Sequence, residues 1–157
     1  MGYYVNGGVK VASISESLKE LVVVLGFLPQ DGTSGIYLKT YSSHDAYPIY
    51  VDFNKEKIDY AHESIPMDRR ILLGDLSTSN FSHPENIVVL ECVDRLLEKG
   101  YAPHCLELEK VYPSGRGHSG RLDILVHTIP ELTHRQNPIT PSNAFDLVMG
   151  KSADGFT

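Results

Sequence analysis

The chain has 157 residues, of which 22% are charged and 41% hydrophobic, a length and composition typical of one soluble globular domain. Its formal net charge of −6 argues against a protein that binds nucleic acid over its whole surface. It is compatible with binding through one basic patch or through metal ions. No apolar run approaches the roughly 20 residues of a membrane span, and residues 1–10 lack the features of a signal peptide. We therefore expect a cytoplasmic protein without a membrane partner, in which Cys92 and Cys105 are reduced thiols.

The first regular element that the sequence predicts is a helix from Ser15 to about Leu25. Apolar residues recur there at helical spacing, and Glu16 in the first turn favours the helix dipole. Gly26 is suited to the left-handed residue that often ends a helix. Residues 1–12 carry no periodic signal and are expected to form a loose or edge segment.

The pattern then changes to the period of two that is typical of strands. Three strands are predicted, at Ile36–Tyr41, Tyr47–Phe53 and Ile58–Tyr60, with a turn at residues 54–56. They are expected to form a small antiparallel meander, rich in tyrosine as half-buried sheets often are. Residues 61–80 are uneven and predict a loop with one short apolar piece at residues 71–73.

A second helix is predicted to open at Ser82, through a capping box with Glu85, and to end at Gly100. One face is expected to be apolar and the other polar; the apolar face comprises Val88, Val89, Cys92, Val93, Leu96 and Leu97, and the polar face Glu91, Asp94, Arg95 and Glu98. Two strands follow, Leu106–Tyr112 and Arg121–Val126.

These elements predict an α/β or α+β domain over residues 1–126, with a mixed central sheet and flanking helices. The meander at about 36–60 precedes a core at about 80–126. Residues 127–157 have several prolines and no periodicity, so they predict an irregular C-terminal segment.

Residues Gly115–Gly120 match the pattern G-x-G-x-x-G, but a strand follows them where a dinucleotide site needs a helix. They are better interpreted as a mobile hairpin loop. Arg116, His118 and Arg121 make this loop locally basic, so it is a candidate for contact with a phosphate, and an ordinary solvated loop is the alternative.

Asp123 is the candidate site residue that the sequence singles out most clearly. It lies in an otherwise apolar strand beside a neighbouring strand that carries Glu107 and Glu109. Converging carboxylates are the ligands that hard divalent cations such as Mg²⁺ prefer. The alternative is that Asp123 forms an ordinary ion pair with Lys110 or Arg121 at a sheet edge.

The ordered features of residues 80–126 resemble a known family. They are ENIVVLECVDRLLEKGY as a helix, LELEK as a strand, a glycine-rich turn and RLDILV as a second strand, with the Y-x-K-x-Y and VDF segments as a leader. This arrangement is similar to the N-terminal nuclease-like region of type I restriction-enzyme R subunits and related restriction–modification proteins, within the PD-(D/E)xK nuclease superfamily. The resemblance implies a restriction-endonuclease-like core that acts on DNA, with Asp123 as a catalytic residue that binds Mg²⁺ and Glu91 as an assisting acid on the first core helix.

The chain departs from that family downstream of Val126. The family's next strand carries Glu-x-Lys, whereas here only Glu131 follows and no lysine appears before Lys151. We therefore expect the ancestral reaction, Mg²⁺-dependent phosphodiester hydrolysis, to be incomplete or inactive in this chain. The alternatives are a non-catalytic module that binds DNA or other restriction–modification subunits, such as a helicase or methyltransferase region, and an unrelated α+β domain.

Overall fold

The computed structural model describes residues 4–6, 9–11 and 13–127. The fold is α+β, as predicted, and its elements in chain order are β1 Tyr4–Asn6, β2 Val9–Val11, α1 Ile14–Val24, β3 Leu28–Pro29, β4 Ile36–Tyr41, β5 Tyr47–Asp52, β6 Lys57–Asp59, β7 Leu72–Leu73, α2 Glu85–Glu98, β8 Leu106–Gly115 and β9 His118–Val126. Strands β3 to β6 form an antiparallel sheet, β7 to β9 form a mixed sheet, and β1 pairs with β2. The predicted irregular segment 127–157 lies outside the described residues, apart from His127.

Helix α1 begins at Ile14, one residue before the predicted start, and Ser13 is its N-cap. The Ser13 hydroxyl accepts from the Glu16 amide at 3.2 Å, and the Glu16 carboxylate accepts from the Ser13 amide at 3.2 Å. This capping box satisfies two amides that the helix itself leaves unpaired. Gly26 has a φ of 89°, as the left-handed stop requires. Neither helix in the described part of the chain is long and apolar enough to cross a membrane.

The antiparallel meander is confirmed with nearly the predicted boundaries. Ile36 pairs with Asp52 and Tyr41 with Tyr47, and β5 then pairs with β6. Alternate residues of β5 are buried, which is the expected pattern for a sheet that packs one face on a core. The same buried cluster contains residues from α1, the meander, α2 and β8, so these elements share one hydrophobic core.

The predicted capping box of α2 is wrong. The helix begins at Glu85 after Pro84, which makes no side-chain cap. The amide and hydroxyl of Ser82 donate instead to the side chain of Asn80. Asn86, in the first turn, donates to the carbonyl of Asn80 at 2.9 Å. Tertiary contacts of Asn80 and Asn86 therefore fix the start of this helix in place of the local cap.

The buried face of α2 also differs from the predicted one. Val88 is 57% exposed and Cys92 is exposed, whereas Asp94, predicted on the polar face, is 4% exposed. Asp94 is buried because Lys39 lies 2.6 Å from its carboxylate and the Tyr41 hydroxyl donates to the same oxygen at 2.6 Å. The ion pair between Asp94 and Lys39 of the meander thus places on the buried face a residue that hydrophobicity alone assigns to the polar face.

The β8–β9 hairpin is longer than predicted. Most of the expected loop at 113–120 is strand, and the turn is reduced to Arg116 and Gly117, which have φ values of 50° and 75°. Two successive residues with positive φ are typical of the tight turns whose twist matches that of the flanking strands. Strand β7 pairs in parallel with β8 at Glu107 and Leu108, next to where the candidate site lies.

Candidate functional site

Asp123 lies on β9 with an exposed side chain. The pairs on either side of it are Leu108 with Ile124 and Lys110 with Leu122, so Asp123 lies across the hairpin from Glu109. Because water reaches its carboxylate, Asp123 does not need a partner to offset desolvation. The side chain is therefore open to an approaching ligand.

Glu109 is one of the two acids that the sequence places on the strand beside Asp123, but its burial was not predicted. It is 1% exposed and has a φ of 53°, a left-handed conformation that residues other than glycine rarely adopt. Its Oε2 lies 2.8 Å from Nε of Arg121. Burial raises the pKa of Glu109 above the ordinary value; the neighbouring Ser77 side chain and the charge of Arg121 oppose this shift, while the charges of Asp75 and Asp123 reinforce it.

Asp75 is the third carboxylate near the hairpin, just beyond the end of β7. The amide of Ser77 donates to it at 2.8 Å, and the Ser77 hydroxyl donates to the same oxygen. These hydrogen bonds, with a further effect of the Arg121 charge, lower the pKa of Asp75. We name Asp75, Glu109 and Asp123 the hairpin carboxylates. A buried acid with a raised pKa beside exposed acids is a common feature of functional sites, although structural ion pairs produce it too.

The alternative for Asp123 was an ordinary ion pair with Lys110 or Arg121, but these two residues pair with other acids of the hairpin. Arg121 pairs with Glu109, and Lys110 lies 3.3 Å from Glu107. In the described part of the chain, no ion pair joins either cation to Asp123. Glu107 also contacts Nε2 of the buried His127 at 3.1 Å. In a regular strand, residues three apart point to opposite faces. Glu107 and Lys110 can nevertheless pair because the positive φ of Glu109 interrupts the regular alternation of side chains along β8.

Glu91 is placed on the polar side of α2, as predicted, and its carboxylate lies 2.6 Å from Arg95, one turn further along the helix. Its described ionic contact is therefore within the helix and not with the hairpin carboxylates. Arg116 is exposed at the tip of the hairpin. The side chain of His118 lies outside the described residues.

Asp123, the predicted magnesium ligand, has no cluster of further metal ligands around it in the described part of the chain. Among residues 4–6, 9–11 and 13–127, no three side chains of His, Cys, Asp or Glu are arranged to hold a metal ion. Arg121 already neutralises Glu109, so a cation at this place would depend mainly on Asp123 and on water. Mg²⁺ is commonly held by one or two carboxylates together with substrate phosphates, so the magnesium hypothesis stays a prediction.

We expect Glu109→Gln to show how the burial of this carboxylate affects stability. A raised pKa means that the protonated Glu109 stabilises the fold below about pH 4.5, the ordinary value, and that this contribution is lost as pH rises through the folded pKa. Gln cannot ionise, so the variant lacks this loss. Between about pH 4.5 and the raised pKa of the folded protein, the free energy of unfolding of the variant should therefore increase relative to that of the wild type. Urea unfolding at a series of pH values measures this difference.

Asp75→Asn is the matched control for that experiment. The pKa of Asp75 is lowered, so its carboxylate contributes stability that is present above the unfolded pKa and lost as pH falls through the folded one. Relative to wild type, this variant should therefore become less stable as pH rises. If the stability difference from wild type changed with pH in the same direction for Glu109→Gln as for Asp75→Asn, the assignment of opposite pKa shifts to these two acids would be contradicted.

The candidate site thus consists of Asp123, which the sequence singled out, Glu109, which it named as a neighbouring acid, and Asp75, which it did not consider. The burial of Glu109 was not visible in the sequence; its backbone lies close to that of Gly74, 35 residues earlier. Comparisons with known proteins add nothing to this assignment: no family model, curated protein or solved structure matches the chain.

Proposed function

We propose that the chain is a nuclease-like domain of a restriction system that acts on DNA in the cytoplasm and has little or no nuclease activity. The ancestral reaction is Mg²⁺-dependent phosphodiester hydrolysis. Support comes from the resemblance of residues 80–126 to restriction-enzyme R subunits and from the position of Asp123.

The observation that carries the proposal is the exposed Asp123 carboxylate opposite the buried Glu109 on a long hairpin. A hairpin of ten and nine residues extends beyond the two-residue β7. Its outer part is exposed at Val111, Arg116 and Arg121 and is therefore accessible to a large partner such as DNA. Arg116 at its tip supplies a cation for a backbone phosphate.

The same geometry is the reason to expect low activity. Arg121 forms an ion pair with Glu109, so this second carboxylate already has a cationic partner and is less available to a metal ion. The group that orients the attacking water in the resembling family is a lysine two residues after a glutamate. Glu131 and Lys151, the downstream candidates, are too far apart in sequence for that motif and lie outside the described residues.

A plasmid-nicking assay with Mg²⁺ tests the proposed function. We expect the wild type to nick supercoiled DNA no faster than Asp123→Ala, because Asp123 lacks the ligands and the lysine that the reaction requires. Asp52→Ala is a suitable control, since Asp52 is an acid on a strand of the other sheet. Strong cleavage by the wild type that Asp123→Ala abolishes and Asp52→Ala retains would contradict the claim of inactivity.

The second candidate function is a DNA-binding or subunit-interaction module without catalysis. It is favoured by the hairpin itself, because a two-stranded ribbon fits the major groove of B-DNA. This function predicts salt-sensitive DNA binding that survives Asp123→Ala and weakens in Arg116→Gln. Loss of one phosphate contact should reduce the slope of log K against log salt by about 0.9. Absence of DNA binding at low salt would leave subunit interaction as the remaining form of this function.

A further inference from the structure

Strand β9 forms the outer edge of the mixed sheet. It pairs with β8, and in the described part of the chain no other strand lies beside it. Its nine residues make it longer than the usual strand of roughly five or six. An edge strand of this length presents a row of backbone N–H and C=O groups with which another strand can pair.

The directions of these backbone groups follow from a hydrogen bond of β8. The Leu108 carbonyl accepts from the Gly74 amide at 2.7 Å, so it points toward β7 and away from β9. Leu108 and Ile124 are therefore a pair that exchanges no hydrogen bonds, and the backbone groups of Ile124 point to the open edge. None of residues 118–126 has a positive φ, so alternation along β9 gives Leu122 and Gly120 the same outward direction.

The exposed face of β9 carries two opposite charges beside this edge. Arg121 and Asp123 are both exposed and lie two residues apart, so they share one face of the strand, with Leu122 between them. Antiparallel pairing with β9 of a second copy, about a two-fold axis at Leu122, places each Arg121 opposite the Asp123 of the other copy. An axis at either charged residue would place like charges opposite each other, which is destabilising. The two charges therefore select one register of self-pairing.

Arg121 is able to contact a second carboxylate. Its Nε lies 2.8 Å from Oε2 of Glu109, and its side chain is half exposed. The guanidinium group has further N–H donors on its terminal nitrogens. In the described part of the chain no ion pair engages Asp123. Each copy thus offers one additional donor group and one acceptor group at the same edge.

We propose that the chain forms a two-fold symmetric dimer through β9, in which the hairpins of two copies join into one continuous sheet. Such an interface uses the same surface on both subunits. Leu122 lies on the axis, and Gly120 faces Ile124 of the second copy. This inference does not depend on the proposed function. It is compatible with low nuclease activity, because Arg121 of the second copy makes Asp123 less available to Mg²⁺.

Sedimentation velocity of the whole chain at a series of concentrations tests the dimer. We expect the wild type to dimerise reversibly as its concentration rises. Asp123→Arg leaves two arginines on each edge and Arg121→Asp leaves two aspartates, so each change should weaken dimerisation at least about ten-fold. An equimolar mixture of these two variants should form a heterodimer, because every charged pair across its interface then joins opposite charges.

Asp31→Arg and Lys55→Asp are the matched controls. They make the same changes of charge at exposed positions in turns of the antiparallel sheet, and both variants should dimerise as the wild type does. Leu122→Pro is an independent variant, because it removes an N–H group that points to the open edge and leaves the ladder with β8 intact. This variant should be folded and monomeric.

Circular dichroism verifies that each variant is folded. Arg121→Asp deprives the buried Glu109 of its cationic partner; if this variant does not fold, Asp123→Arg and Leu122→Pro decide the question. A wild type that is monomeric at every concentration, charge reversals that dimerise as the wild type does, or a mixture without heterodimers would overturn the proposal. The rate of plasmid nicking bears on none of these results, so the two proposals fail separately.

Discussion

Gly74→Ala is expected to destabilise the protein by about 3 kcal/mol or more. This effect is large for a substitution that adds one methyl group and removes no contact. A Cβ at residue 74 would overlap the Glu109 carbonyl oxygen and lie 2.7 Å from its carbon. Both groups are backbone, and the Gly74 amide also donates to the Leu108 carbonyl at 2.7 Å. The overlap therefore cannot be relieved by rotating a side chain; β7 must separate from β8.

Gly32→Ala is the control for this prediction. A Cβ there meets nothing within 4 Å, but the φ of 75° makes alanine unfavourable by about 1 kcal/mol. Chemical unfolding of both variants gives the comparison. Equal losses in the two proteins would mean that the approach of β7 to Glu109 is not as close as the structure has it.

The meander and the hairpin were predictable because their signals are local. Alternation over Ile36–Tyr41 and the polar turn at residues 54–56 depend on neighbouring residues only. The turn at Arg116 and Gly117 escaped prediction in detail, since the glycine-rich run hid how far the two strands extend. Sequence patterns therefore identified the elements better than their ends.

The orientation of α2 was not predictable in the same way. Periodicity placed Asp94 on the polar face, and its burial depends on Lys39 and Tyr41, more than 50 residues away in sequence. A polar group that is neutralised by a distant partner has no signature in its own helix.

The candidate site combines both situations. Asp123 stood out because an acid interrupts an apolar strand, which is a local signal. The burial of Glu109 and its nearness to Asp75 result from the parallel pairing of β7 with β8. Two leucines at 72 and 73 give no reliable sign of such a strand, so this half of the site required the structure.

Asp94→Ala is expected to cost about 3–5 kcal/mol of stability, because removal of one partner leaves the other charge of a buried pair uncompensated. The side chain of Lys39 is 14% exposed and that of Asp94 5%. Lys39 keeps its contacts with the Leu25 carbonyl and with Glu98, which should bring the loss toward the lower end of that range. The Tyr41 hydroxyl loses its acceptor as well.

Glu91→Ala is the matched control on the same helix, since it removes an exposed ion pair with Arg95 whose loss should change stability little. Lys39→Met combined with Asp94→Leu should recover part of the loss, because well-packed apolar residues often replace buried pairs without cost, whereas the Tyr41 hydroxyl still lacks its acceptor. Thermal and urea unfolding of the four proteins measure these differences. An Asp94→Ala loss no larger than that of Glu91→Ala would show that the pair contributes little.

The pair should also make stability depend on alkaline pH. Burial alone would lower the pKa of Lys39, but hydrogen bonds and charge from Asp94 and Glu98 outweigh it and raise the pKa above 10.5. A raised lysine pKa contributes stability that is fully present below the unfolded value and is lost as pH rises through the folded one. The wild type should therefore lose stability above about pH 10 faster than the Lys39→Met and Asp94→Leu double variant, which carries no charge at either position.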